Sequence, residues 1–153
     1  MRLQIKAGLL ATCVLISACC PEWECKKHNR LASLPEHEAE NEFLAMPIRD
    51  QVSVYLWEMQ HSHPSVSPYG RLLFRNGPPV AKELLVRAMT SKEEGAPTDL
   101  LVALRDLPPE LRRDLQAGEI EKAIDNCKKV DGSDELSLCP RLERDLSTTP
   151  HSP

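Results

Sequence analysis

The stretch PPVAKELLVRAMTSKEEGAPTDLLVALRDL, residues 78–107, decides the fold of this chain. It holds two apolar stripes with helical spacing, which are Ala81, Leu84, Leu85 and Ala88, then Leu100, Leu101, Leu104 and Leu107. Residues three and four apart share one face of a helix. Proline is tolerated in the first helical turn, so Pro78 and Pro79 favour a helix start. We therefore expect two helices joined by EEGAPTD, with Thr98 as the cap of the second.

Two further segments upstream have helical patterns. Ile48, Val52, Tyr55, Leu56 and Met59 fall on one helical face. Val52, Val54 and Leu56 also alternate as in a strand, but the longer helical match favours a helix. Ser33 and Glu36 have the spacing of a capping box and predict a helix that extends to about Ala45.

Composition and spacing together predict an all-α fold. Aromatic residues make up 4% of the chain, and there are 13 prolines. Residues 111–127 add two apolar helical faces, and we expect a joint between two helices near Gly118. We expect a small irregular bundle of about five helices joined by Pro-rich turns. The helix pairs over residues 48–88 and 98–127 weakly resemble HEAT-like hairpins, and residues 51–64 resemble a segment of small uncharacterised helical bacterial proteins.

Residues 1–18 have the pattern of a secretory signal. Arg2 and Lys6 precede an uncharged run of 12 residues, Ala7 to Ala18. A membrane-spanning helix needs about 20 apolar residues, so this run is too short. A basic start, a short apolar run and a small-residue exit are typical of an export signal. A buried N-terminal helix is the alternative, but the run has no polar face.

The end of this run resembles a known processing site. Ile16-Ser17-Ala18-Cys19 is similar to the lipobox of bacterial lipoproteins, an aliphatic residue and two small residues before a cysteine. The resemblance implies cleavage between Ala18 and Cys19, a lipid on the Cys19 thiol and acylation, typically with palmitate, of its new amino group. Cys20 follows in place of the aspartate that retains such proteins at the inner membrane. The implied location is therefore the outer membrane, with the domain facing the periplasm.

The resulting organisation has four parts. Residues 1–18 are the signal peptide, residues 19–32 the lipidated N-terminus and a flexible tether, residues 33–146 the helical domain, and residues 147–153 a disordered tail. The formal net charge of the chain is −4, and loss of residues 1–18, with two basic and no acidic residues, leaves about −6. Because nucleic-acid binding relies on Lys and Arg at phosphates, this charge argues against a nucleic-acid partner.

The cysteines predict one disulfide. Once Cys19 carries a lipid and the signal is removed, Cys20, Cys25, Cys127 and Cys139 remain. An even number in an oxidising compartment favours disulfides, and four cysteines allow three connectivities. We predict the short loop closed by Cys127 and Cys139, with two buried thiols as the alternative. A metal there is not expected, because no C-x-x-C and no nearby histidine accompany these residues.

No motif of covalent catalysis or phosphate binding occurs, since G-x-S-x-G, G-x-G-x-x-G and the P-loop pattern are absent from the sequence. We therefore expect no enzymatic activity and no cofactor.

The favoured function is a membrane-anchored module that binds a protein through a helical face, with Tyr55, Trp57 and Phe74 as aromatic candidates for the contact. One alternative is a metal-binding or enzymatic lipoprotein that uses His61 and His63 at the end of a helix. Another alternative is a small immunity or inhibitor lipoprotein.

Overall fold

The fold is all-α, as predicted. The computed structural model describes residues 22–61, 67–133 and 137–147, and it places no strand among them. The helices are α1 Glu22–Ala32, α2 Glu36–Ala45, α3 Ile48–His61, α4 Gly70–Phe74, α5 Pro78–Thr90, α6 Ala96–Asp106, α7 Pro109–Arg112, α8 Ala117–Asp131 and α9 Cys139–Ser147.

The helix count was underestimated, since the described residues form nine helices where about five were expected. Residues 22–32, expected to lie in a tether, form α1, and its Leu31 is buried. Helix α4 lies in a segment for which no helix was predicted, and α7 covers only the start of the helical face expected from Leu111 and Leu115. Short helices gain most of their stability from tertiary packing, which local periodicity does not report. In α4, the burial of Leu72 and Leu73 supplies that packing.

Helix α5 lies at the centre of the fold and packs against α3, α6, α7 and α8. The two stripes predicted for residues 78–107 are buried, and Leu84 and Leu100 are fully inaccessible. Helix α9 packs on α6 and α8, while α1 and α2 lie on the side of α3 and α4. The core therefore runs from Phe43 at the N-terminal side to Leu142 in α9.

Two amide side chains fasten the connections between helices. The Asn126 Nδ2 in α8 donates to the carbonyls of Ala88 and Ser91, both at 2.8 Å, and so closes the C-terminal end of α5. Gln51 is fully buried and donates to the Met46 carbonyl at 2.8 Å. Gln51 is buried and Asn126 is half-buried, and polar groups removed from water are expected to be hydrogen-bonded, as both are here.

The predicted capping box of α2 does not form. The Ser33 hydroxyl donates to the Arg30 carbonyl at 2.7 Å, so it closes the end of α1. Helix α2 follows Pro35 without a side-chain cap and ends at Ala45, where the sequence predicted its end. The serine serves the preceding helix because α1 extends closer to it than the sequence pattern indicated.

Candidate functional site

The residues of the predicted lipid anchor lie outside the described part of the chain. Ala18 and Cys19 are among residues 1–21, so cleavage and lipidation stay predictions. Helix α1 begins at Glu22, three residues after Cys19. Within residues 22–61, 67–133 and 137–147, no helix is both long and apolar enough to cross a membrane.

His61 lies on the exposed last turn of α3. Its Nδ1 donates to the Trp57 carbonyl one turn earlier, at 2.8 Å, and its ring stacks on the indole with centroids 4.4 Å apart. Nε2 is therefore the His61 atom with which a metal could bind. His63, its predicted partner, lies outside the described residues, so the pairing stays a prediction.

Trp57 joins His61 to a second histidine that the sequence did not single out. The rings of His28 in α1 and Trp57 have centroids 3.7 Å apart. The His28 Nε2 pairs with Glu58, and both side chains are largely buried. These four residues, which we call the histidine–tryptophan cluster, fasten α1 to α3. The off-stripe position of Trp57 hinted at such a contact, but nothing in the sequence pointed to His28.

The predicted disulfide between Cys127 and Cys139 is present in the structure. It joins Cys127, four residues before the end of α8, to the first residue of α9, with the Cα atoms 5.8 Å apart. Both cysteines are fully buried. The bond thus holds α9 against α6 and α8, and its burial restricts access for any reductant.

Asp131, at the end of α8, caps a different helix. Its Oδ1 accepts from the Gly95 N–H at 2.7 Å, and its Oδ2 accepts from the N–H and the hydroxyl of Thr98, at 2.9 and 2.6 Å. The predicted role of Thr98 as the cap of α6 is wrong, because Thr98 is a donor here. A carboxylate is unfavourable at a helix C-terminus and favourable at an N-terminus. Asp131 is at an unfavourable place in α8, but its carboxylate lies at the favourable N-terminal end of α6, which offsets that cost.

This arrangement also accounts for the free amides at the start of α6. Gly95 has a left-handed backbone, φ 83°, which suits glycine. Pro97 has no N–H to satisfy, and the Ala96 N–H donates to the Glu93 carbonyl at 3.2 Å. The remaining N–H groups, those of Gly95 and Thr98, are the two that Asp131 accepts.

A second carboxyl group lies beside this cap. Burial and the negative charge of Asp131 raise the pKa of Asp99 to about 6. Burial, with the charges of Asp99 and Asp106, raises the pKa of Tyr55 to about 12.

We call the group of Thr98, Cys127, Asp131 and Cys139 the disulfide corner.

An open apolar groove of about 640 Å³ runs along the solvent side of α5. Its apolar lining consists of Ile48, Pro78, Pro79, Val86, Leu111 and Leu115. Val86 is 40% exposed, one of two large hydrophobic side chains that are exposed in the described part of the chain. The α5 residues that line the groove extend from Pro78 to Val86, a rise of about 12 Å, or about two helical turns.

The wall of the groove opposite α5 is acidic. Asp114 and Glu119 lie on this wall, while Lys82 and Glu83 lie on α5. The Glu83 carboxylate pairs with the Arg87 guanidinium at 3.0 Å, which neutralises it. The three aromatic residues expected at a contact surface are elsewhere. Tyr55 is buried, Trp57 belongs to the histidine–tryptophan cluster, and Phe74 packs against the core outside the groove. The groove is thus apolar along α5 and negatively charged on the opposite wall.

Comparison of the chain with protein-family models, with characterised proteins and with solved structures finds no match.

Proposed function

We propose that this chain is an envelope lipoprotein, anchored by a lipid on Cys19, whose helical domain binds an apolar segment of a partner protein in the α5 groove. The observation that carries the binding proposal is the exposure of Val86 in a groove with an apolar lining. Exposed apolar patches bordered by polar residues are typical of interaction sites. The proposal for the anchor rests on the resemblance of residues 16–19 to a lipobox.

The charges of the groove specify the chemistry of the partner. With Glu83 neutralised by Arg87, the lining retains one basic residue, Lys82, and two acidic residues, Asp114 and Glu119. Complementary charges increase association rates and select among partners. We infer that the partner segment is about two helical turns long, with apolar side chains on one face and Lys or Arg beside them.

The binding proposal is tested with a photo-crosslinking amino acid at position 86 in the full chain in cells. The matched control has the same amino acid at the exposed Lys122 in α8, outside the groove. We expect a discrete protein adduct from position 86 only. Its crosslinked segment, located by mass spectrometry, should be apolar with adjacent basic residues. Reversal of the wall charges with Asp114→Lys and Glu119→Lys should reduce the adduct about tenfold, because like charges across an interface disfavour binding.

An adduct that is unchanged by charge reversal, or that also forms from position 122, contradicts the proposed partner chemistry.

The anchor is tested separately by membrane fractionation. Cys19→Ala should leave the membrane fraction and lose palmitate labelling, while the control Cys20→Ala should keep both. If Cys19→Ala remains fully membrane-bound, the chain is not anchored through this residue.

A further inference from the structure

We propose that the disulfide corner, when reduced, binds one thiophilic divalent cation such as Zn²⁺ through the sulfurs of Cys127 and Cys139 and the carboxylate of Asp131. The disulfide and the cation are mutually exclusive occupants of the same position. The site goes beyond the docking function, because it lies among α6, α8 and α9 and shares no residue with the α5 groove.

The geometry brings three ligand atoms together. One atom each from Cys127, Asp131 and Cys139 lies within 4.8 Å of the others. Cys127 and Asp131 are four residues apart in α8, so their side chains emerge on the same face. Zinc binds thiolate at about 2.3 Å and carboxylate oxygen at about 2.0–2.2 Å. Reduction releases the two sulfurs from each other, so that each is free to rotate about its Cα–Cβ bond toward a common cation.

The chemistry of the donors suits a borderline-soft cation. Thiolates select zinc and related metals over magnesium and calcium, which prefer oxygen ligands. Asp131 Oδ2, which lies 4.0 Å from the Cys127 sulfur, accepts from both the N–H and the hydroxyl of Thr98, whereas Oδ1 accepts only from the Gly95 N–H. Because each carboxylate oxygen has about two acceptor positions, the position that remains for a cation is on Oδ1. The Thr98 hydroxyl lies 3.4 and 3.8 Å from the two sulfurs and donates to Asp131, which orients the carboxylate.

The frame of the site does not depend on the disulfide alone. Leu142 and Leu146 of α9 are buried, with 1% and 2% of their surface exposed. The Lys128 ammonium in α8 also pairs with the Glu143 carboxylate in α9 at 2.7 Å. Because these contacts remain after reduction, Cys139 stays close to α8 and the two thiols stay near Asp131.

The reaction balances with a phosphine as reductant. The phosphine donates two electrons to the S–S bond, which breaks to give two thiols, and it takes oxygen from water to become a phosphine oxide. Cation binding then replaces the two thiol protons, which are released to solvent. Reoxidation with a small-molecule disulfide re-forms the bond between the two sulfurs, because the reagent takes the two electrons and leaves as two thiols. Both sulfur ligands are then lost and the cation is released.

The test uses the full chain with Cys13, Cys19, Cys20 and Cys25 replaced by serine, so that only the two corner cysteines remain. Phosphine is removed anaerobically before titration with Co²⁺, whose bonds to thiolates give a charge-transfer absorption. We expect one Co²⁺ per reduced chain, displaced by Zn²⁺, and none per oxidised chain. Asp131→Asn should weaken binding about tenfold or more, whereas the control Asp125→Asn, at an exposed position of the same helix, should not.

Circular dichroism of each reduced form distinguishes loss of the site from loss of the fold. The proposal is overturned if the reduced chain is folded but shows no thiolate–cobalt absorption. It is also overturned if the reduced chain is unfolded, because the three ligands are then not held together without the disulfide. If Asp131→Asn binds Co²⁺ with the affinity of the parent, the Asp131 carboxylate is not a ligand of the cation.

Discussion

Replacement of Asp131 by alanine tests whether one carboxylate at the end of α8 holds the start of α6. The variant removes the acceptor for the N–H groups of Gly95 and Thr98 and for the Thr98 hydroxyl. Both backbone groups lie at half-buried residues, so water replaces the carboxylate only in part. We therefore expect Asp131→Ala to lower the free energy of unfolding.

The magnitude follows from opposing contributions. Loss of an N-terminal cap costs about 0.5–2 kcal/mol, and a hydrogen bond to a charged group contributes about 1.5–3 kcal/mol. Removal of the carboxylate also relieves its unfavourable position at the C-terminus of α8, which offsets about 0.3–1 kcal/mol. The repulsion that raises the pKa of Asp99 is relieved as well. The net loss should be about 1–2 kcal/mol, equivalent to a decrease in melting temperature of about 3–8 °C.

Urea unfolding of the oxidised chain measures this loss, with Asp125→Ala at an exposed position of α8 as the matched control. Native-state hydrogen exchange adds a local measurement, because the amides of Gly95 and Thr98 should lose protection. A loss of less than about 0.5 kcal/mol, or a loss equal to that of the control, would show that Asp131 contributes no more to stability than an ordinary surface residue. Unchanged protection of the two amides would refute the capping role directly.

Three other predictions concern the same fold. Because the pKa of Asp99 is raised to about 6 from 3.8, its carboxyl favours the folded state most when protonated, and its contribution to stability decreases as pH rises from about 4 to 6. Asp99→Asn should be more stable than the parent at pH 7 by about 1 kcal/mol, after discounting of the full shift for partial exposure, and urea titrations should show the difference closing below pH 4. Replacement of Cys127 and Cys139 by alanine should cost about 3 kcal/mol in urea unfolding, and a double variant as stable as the oxidised parent would contradict this. Glu58→Gln should weaken the pair with His28, lower stability by about 1 kcal/mol and speed amide exchange in α1; unchanged exchange there would show that the pair does not fasten the helix.

Much of the helical pattern could be predicted because burial repeats with the period of the helix. The stripe of α5 and the stripe of α6 are buried as expected. The end of α2 at Ala45 was also predicted, since Pro47 follows closely. The disulfide could be expected from cysteine number and loop length. These features depend on residues that are near one another in the chain.

The histidine–tryptophan cluster could not be predicted, because His28 and Glu58 are 30 residues apart and neither belongs to an apolar stripe. The α5 groove could not be predicted from the sequence for the same reason. Ile48, Val86 and Leu111 come from α3, α5 and α7, and each is an ordinary apolar residue in its own segment. Only the packing of the three helices determines that these side chains border a common opening.

The sequence by itself determined the helical class and the positions of the central helices, and it favoured the pairing of Cys127 with Cys139 over its alternatives, because each depends on local periodicity or a short loop. It also supplies the lipobox resemblance on which the proposed location of the protein rests. The tertiary structure decided which polar group serves which helix. Thr98 has a side chain typical of a helix cap, yet it acts as a donor, and Asp131, 33 residues away, accepts the hydrogen bonds of its N–H and its hydroxyl. The physical reason is that a carboxylate brought by α8 to the start of α6 is a stronger acceptor for free N–H groups than a local hydroxyl, and only folding brings the two together.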